Sequence, residues 1–153
     1  MRRILLLFCL AAGPVSADPA PDRLSFLIGS HHFSPGQDFE EFNPGVFLTW
    51  DNVLLDGRAD LNLGVFRNSY GRTAVAATGT FPVWESGAFE AGFFAGAAYY
   101  PEDGRRFRVH IGDVVPLGGI QASYGPAFVQ LIPGDGREAD AVISFGVTWK
   151  IGR

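Results

Sequence analysis

Residues 140–151 read Asp-Ala-Val-Ile-Ser-Phe-Gly-Val-Thr-Trp-Lys-Ile. Ala141, Ile143, Phe145, Val147, Trp149 and Ile151 alternate with Asp140, Ser144, Gly146, Thr148 and Lys150. A period of two places one set on each face of a β-strand, so this stretch predicts a strand with one apolar face. The same rhythm recurs upstream. Leu61, Leu63 and Val65 alternate with Asp60, Asn62 and Gly64, and Phe89, Ala91 and Phe93 alternate with Glu90 and Gly92. Eight such segments are expected, at about 24–33, 43–50, 59–67, 73–82, 88–100, 106–115, 119–132 and 140–151. Turn-forming clusters separate them: Asp56-Gly57, Tyr70-Gly71, Asp103-Gly104 and Pro133-Gly134-Asp135-Gly136.

The first residues have a different character. Arg2 and Arg3, the apolar run Ile4 to Ala12 and the small-residue end Val15-Ser16-Ala17 form the layout of a cleavable export signal. Residues 1–17 are therefore expected to leave, with 18–153 forming a single domain. The apolar run is too short to span a bilayer as a helix. A lipoprotein signal is disfavoured, since Leu7-Phe8 precede Cys9 where a small residue belongs. The single cysteine lies in this leader, so disulfide and thiolate chemistry drop out.

The chain carries 12 Lys and Arg against 16 Asp and Glu, a formal net charge of −4. Lys150 is its sole lysine. That balance argues against nucleic acid as a partner. After the leader, the longest apolar stretch, Ala91 to Tyr100, is glycine-interrupted and falls short of a membrane-spanning helix. A membrane protein with this sequence must be a barrel. Most of the segments approach the ~9–11 residues that a tilted strand needs to cross a bilayer. Two features favour a barrel over a soluble sandwich. The apolar faces end in aromatics (Trp50, Trp84, Tyr99, Tyr100, Trp149), as interfacial girdles do, and the opposite faces are small or polar, as a lumen requires. The expectation is an all-β, eight-stranded antiparallel barrel of up-and-down topology, a monomer in a bacterial outer membrane. The chain ends Trp149-Lys150-Ile151-Gly152-Arg153, without the terminal aromatic residue common in such barrels.

With both termini on the inner side, connections 34–42, 68–72, 101–105 and 133–139 face outward. The ends of the first and third strands then share the outer rim. His31 and His32 close the first; Arg67-Asn68-Ser69-Tyr70 closes the third. A histidine at a strand end is commonly a packing or rim residue, and a serine beside tyrosine and glycine is commonly a turn residue. A shared rim raises their significance, because a base and a hydroxyl act together only within ~3 Å. Neighbouring strand residues point to opposite faces. His31 is expected to face the lumen, with Phe33 on its side and His32 turned toward lipid or rim. Asp38, Glu40 and Glu41 in the first outer loop read as a solvated face, as do Arg105, Arg106 and Arg108. No metal-ligand spacing, phosphate loop or cofactor motif appears.

The order of these features resembles the outer-membrane lipid A palmitoyltransferases, the PagP barrels. In that family a histidine at the outer end of the first strand cooperates with a Lys-Asp-Ser-Trp-like tetrad after the third. Gly29-Ser30-His31-His32-Phe33 and Arg67-Asn68-Ser69-Tyr70 match this pattern here, and Ala122 to Gln130, followed by Ile132-Pro133-Gly134, is similar to the family's seventh-strand motif. The resemblance spans about residues 26–151. It implies transfer of a palmitoyl chain from a glycerophospholipid donor to lipid A, with the acyl chain held inside the barrel and no cofactor. Ser69 and His31 would form the acyl-transfer pair, Asn68 and Tyr70 complete the tetrad, and Arg67 meets an anionic headgroup. Small inward residues, Gly64, Gly79 or Thr80, Gly92 and Gly96, would leave room for the chain, or else mark close packing. Pro44 and Pro126 match positions where the family's prolines interrupt the ladder for lateral lipid passage, with Pro116 an additional candidate. Asn68 stands where the family has aspartate; its amide orients the histidine or holds a carbonyl oxygen. The same scaffold also admits a non-catalytic structural or lipid-binding barrel, and a lipid A deacylase or lipid hydrolase.

Overall fold

The computed structural model describes residues 20–152; the expected leader, 1–17, lies outside them. Eight strands follow in order: β1 (Arg23–Phe33), β2 (Gly45–Leu54), β3 (Ala59–Arg67), β4 (Thr73–Ser86), β5 (Phe89–Tyr99), β6 (Val114–Tyr124), β7 (Ala127–Pro133) and β8 (Ala141–Lys150). Each pairs antiparallel with the next, and β8 closes on β1, giving an up-and-down closed barrel. Closure removes exposed sheet edges, so nearly the whole backbone finds partners within the ring. Short turns at 55–58, 87–88 and 125–126 join strands at the end where β1 begins, the inner end here. The Tyr124–Ala127 hairpin turns on Gly125-Pro126, with Gly125 at φ +56°, a conformation that favours glycine.

The alternation anticipated in 140–151 is realised. Ser144, Gly146 and Thr148 face inward, while Phe145 and Trp149 are exposed outside. The outer surface carries an apolar band that includes Phe26, Leu63, Val65, Val75, Phe93, Ile120 and Leu131, all exposed. Trp84, Tyr124 and Trp149 flank it at the inner end, and Phe33 and Tyr99 at the outer end. Tyr100 departs from the expected girdle. It turns into the lumen, edge-on to Phe66 and Phe107 at 5.9 and 5.2 Å.

The sixth and seventh strands correct the expected bounds. Residues 106–113 alternate but belong to the outer connection 100–113. A 3-10 turn at Gly104–Arg106 opens that connection, and Tyr100 N bonds Asp113 O at 2.8 Å to close its base. Arg72 and Arg106 both donate to the fully buried Asp103 inside it. The true sixth strand contains Pro116, Gly118 and Gly119, which read as a break in the sequence. Pro116 is tolerated because no β7 residue is registered beside it.

Two ladders are incomplete on their outer halves. Pairing of β1 with β2 stops at Leu27–Gly45, although β1 runs on to Phe33. Pairing of β6 with β7 covers Ile120–Tyr124 against Ala127–Leu131, leaving Val114–Gly119 without a registered β7 partner. The remaining neighbours keep longer registers.

The inner end of the lumen is closed by charge. Arg23 Nε meets Asp51 at 2.6 Å, and its Nη2 meets the buried Asp60. Above this plug lie polar pairs, Thr49–Asn62–Thr80 on one wall and Gln121–Gln130–Ser144 on another. Apolar side chains, among them Phe47, Phe66, Val115 and Leu117, occupy the outer half of the β2–β6 wall.

Candidate functional site

The outer mouth gathers four segments. The loop after β1 lies back along its own strand, where β2 does not reach: Ser30 N donates to Glu41 O at 2.8 Å. The same loop is tied to the end of β3, with Glu40 N bonded to Ser69 O at 3.0 Å and Arg67 N to Pro44 O at 2.9 Å. The expected sharing of one rim by the ends of β1 and β3 therefore holds, and the loop between them is the coupling element.

Which histidine faces inward is a correction. His31 points outside, its side chain 57 % exposed and its Nδ1 2.7 Å from Glu41 Oε1. His32 is 9 % exposed and lines the lumen. The cause is a β-bulge. Leu27 pairs with Gly146 and Gly29 with Phe145, so Ile28 is an extra residue and the phase reverses. Counting by twos from Ser25 puts His31 inside; one inserted residue sends it out.

His32 stacks on Phe39, ring centres 4.3 Å apart and planes at 20°. Phe39 in turn meets Tyr70 edge-on at 5.6 Å, and Tyr70 meets Phe107 at 6.2 Å. Tyr70 donates its hydroxyl to Glu138 at 2.9 Å, and Arg106 lies over its ring at 5.0 Å. Burial, reinforced by the Glu138 bond and charge, raises the Tyr70 phenol well above its ordinary range, so it stays a neutral donor. Tyr100, turned into the lumen, is pushed up to about 12 by burial. This aromatic chain carries the histidine's position from β1 to the turn that holds Ser69.

That turn is organised by Asn68, 1 % exposed. Its Oδ1 accepts from the backbone N–H of Tyr70 at 3.0 Å and of Arg72 at 2.9 Å, an Asx-type closure. Because Oδ1 serves the turn, the amide's donor end is left over. Among the described residues, His32 Nδ1, Asn43 Nδ2 and Asn68 Nδ2 are buried side-chain atoms with no hydrogen-bond partner. All three residues line one cavity of about 400 Å³, with Ser69 and Tyr70. Buried polar atoms are ordinarily satisfied, so three orphans on residues of one cavity set this part of the barrel apart.

The other anticipated residues divide. Arg67 stands at the mouth, but its guanidinium is engaged by Glu40 at 2.7 Å. Pro44 sits where the β1–β2 ladder ends, and Pro116 where β6 lacks β7, so these two mark the two breaks. Pro126 does not; it lies in the inner turn, where its carbonyl accepts from Thr148 N at 2.7 Å. Gly79 is also displaced, because Thr78 and Thr80 take the lumen side of β4 and Gly79 faces out. The inward glycines lie close against their neighbours. Gly64 is filled by the Phe47 ring, while Gly92 and Gly96 lie against the β4 backbone at Phe81 and Ala77. The lumen is therefore not apolar throughout. Its apolar part is the outer half of the β2–β6 wall, above the Asn62 and Gln121 pairs.

Asn43 and Phe39 were not singled out in the sequence. Asn43-Pro44 gives only a turn signal, and Phe39 is one aromatic among loop acids. No protein-family model matches the chain, and no curated protein matches it.

Proposed function

We propose that this barrel is an outer-membrane acyltransferase that moves an acyl chain from a phospholipid to lipid A, with His32 and Ser69 as the reacting pair. The observation behind the proposal is a lumen cavity whose outer part is lined by an inward histidine, a serine and two asparagines with orphaned amide donors, beside the apolar Phe47, Phe66 and Val115. The exposed apolar band suits a lipid environment, since soluble surfaces rarely expose contiguous patches of this kind. The two outer-half ladder breaks, beside Pro44 and Pro116, suit lateral passage of a lipid.

In the reaction, the donor's ester C–O bond breaks and a new C–O bond forms between the acyl carbonyl carbon and a lipid A hydroxyl. If Ser69 is acylated first, His32 takes the serine proton and returns it to the leaving lysolipid alcohol. It then takes the proton of the lipid A hydroxyl, which attacks the acyl-serine, and returns that proton to Ser69. The orphaned Asn68 Nδ2 donates to the carbonyl oxygen as negative charge develops there. The resemblance to the lipid A palmitoyltransferases agrees with this reading after one change, His32 for His31.

The test uses the refolded barrel in detergent with a phospholipid bearing an isotope-labelled acyl chain, and lipid A as acceptor. Mass spectrometry should find the label on lipid A. Label recovered only as free fatty acid identifies a hydrolase, and label left wholly on the donor identifies a non-catalytic barrel; either result overturns the proposal.

A further inference from the structure

Asn43 has the marks of a reacting group, not of a packing residue. It is 3 % exposed, and it directly precedes Pro44, at the point where the registered β1–β2 ladder ends. Its Oδ1 accepts from the Ser30 hydroxyl, which fixes the amide plane. Ser30 lies two residues from His32 on the inward face of β1. The next residue's carbonyl, Pro44 O, accepts from Arg67 N beside Asn68. Asn43 is thus clamped between the strand carrying His32 and the turn carrying Ser69, while its Nδ2 faces no protein acceptor.

We infer that Asn43 is a second amide donor to the reacting carbonyl, acting with Asn68 to hold the oxyanion of the ester that the His32–Ser69 pair attacks. The inference rests on the acyl-transfer reading of this site. Two carboxamides fixed through their oxygens, on residues that line one cavity and each with a buried, unpartnered Nδ2, supply N–H donors of the kind that stabilises a tetrahedral intermediate. A neutral donor pair selects a neutral ester carbonyl that becomes anionic only during reaction. A fixed cation such as arginine would already favour an anionic ground state. The ligand class assigned to this wall is therefore a carboxylic ester, with any phosphate of the lipid left toward the rim.

The experiment compares the refolded full chain with Asn43→Ala, Asn43→Asp and Ser30→Ala in detergent, reading kcat and KM for consumption of a phospholipid ester. Asn43→Asp keeps the acceptor for Ser30 but loses both N–H donors. Both Asn43 variants should lose about 100-fold in kcat, the usual cost of one oxyanion donor, with KM little changed. Ser30→Ala, which frees only the amide's orientation, should lose less. Wild-type kcat in Asn43→Asp, a loss confined to KM, or failure of both Asn43 variants to refold would each overturn the inference. If the parent turns over no ester, the acyl-transfer reading fails on that result. Asn43 is then decided by the side-chain ¹⁵N amide signals on adding an alkylphosphonate monoester, a tetrahedral oxyanion mimic. A shifted Asn43 resonance supports the donor assignment, and an unmoved one overturns it.

Discussion

Replacing Asn68 should separate the stability of the outer turn from its chemistry. The carboxamide does two things with its two ends. Oδ1 accepts from the amides of Tyr70 and Arg72 at 3.0 and 2.9 Å, and Nδ2 is left without a partner. Asn68→Ala removes the acceptor of both bonds, and at ~1 kcal/mol net for each hydrogen bond the loss is ~2 kcal/mol. That corresponds to about 30-fold in the unfolding equilibrium. Arg72 is exposed, so water partly meets its amide and holds the figure at this level. Asn68→Asp keeps an oxygen acceptor for both amides and should retain most of the stability while losing the donor. The assay is urea unfolding of the refolded barrel in detergent, followed by fluorescence of Trp50, Trp84 and Trp149, with an unchanged m-value required for comparison. Acyl transfer is measured in parallel. Asn68→Ala as stable as the parent would refute the reasoning, as would Asn68→Asp as unstable as Asn68→Ala.

Three further outcomes follow from other parts of the barrel. Arg23→Ala leaves Asp60, 4 % exposed, without its cation beside Asp51; the expected loss is ~3–5 kcal/mol, read by the same unfolding assay, and a loss below ~1 kcal/mol would contradict a charged plug. Deleting Ile28 removes the bulge and should exchange the faces of the two histidines: a cysteine at 31 becomes shielded from bulky maleimides and a cysteine at 32 becomes reactive, whereas unchanged labelling would show that the bulge does not set the phase. Partial burial raises the Asp135 carboxyl, but bonds from the amides of Arg108, Arg137 and Glu138 outweigh it and hold the carboxyl below its ordinary value of 3.8. A depressed folded-state pKa gives stability that is full above the ordinary range and lost only as pH falls through the depressed value. The protection of the Arg108 amide, taken relative to its intrinsic exchange rate at each pH, should thus hold at pH 5 and fall only below 3.8, and a fall already at pH 5 would contradict the linkage.

The strands that were legible in sequence are those with chemically distinct faces. In 141–150 and 59–67 the apolar and polar sets differ enough that period two alone fixes strand and face. β5 was legible for the same reason, whereas β4 runs past its expected end at 82 to Ser86. The β6–β7 region failed because Pro116-Leu117-Gly118-Gly119 carries turn residues inside a strand, tolerated only where a neighbour is missing, while Phe107, Val109 and Ile111 alternate within a loop. The rim shared by β1 and β3 followed from strand parity. The identity of the inward histidine did not, since one bulge residue is invisible to an alternation count. Asn43 was hidden for another reason. Its significance lies in Ser30, Arg67 and an empty acceptor position, none of them adjacent to it in the chain.

The most direct measurement is the mass of lipid A extracted from cells producing the parent barrel, His31→Ala, His32→Ala or Ser69→Ala, with heat-modifiable gel mobility confirming that each is folded. One added acyl mass is expected with the parent and with His31→Ala, and none with His32→Ala or Ser69→Ala. Acyl addition that persists in His32→Ala, or that disappears in His31→Ala alone, would contradict it.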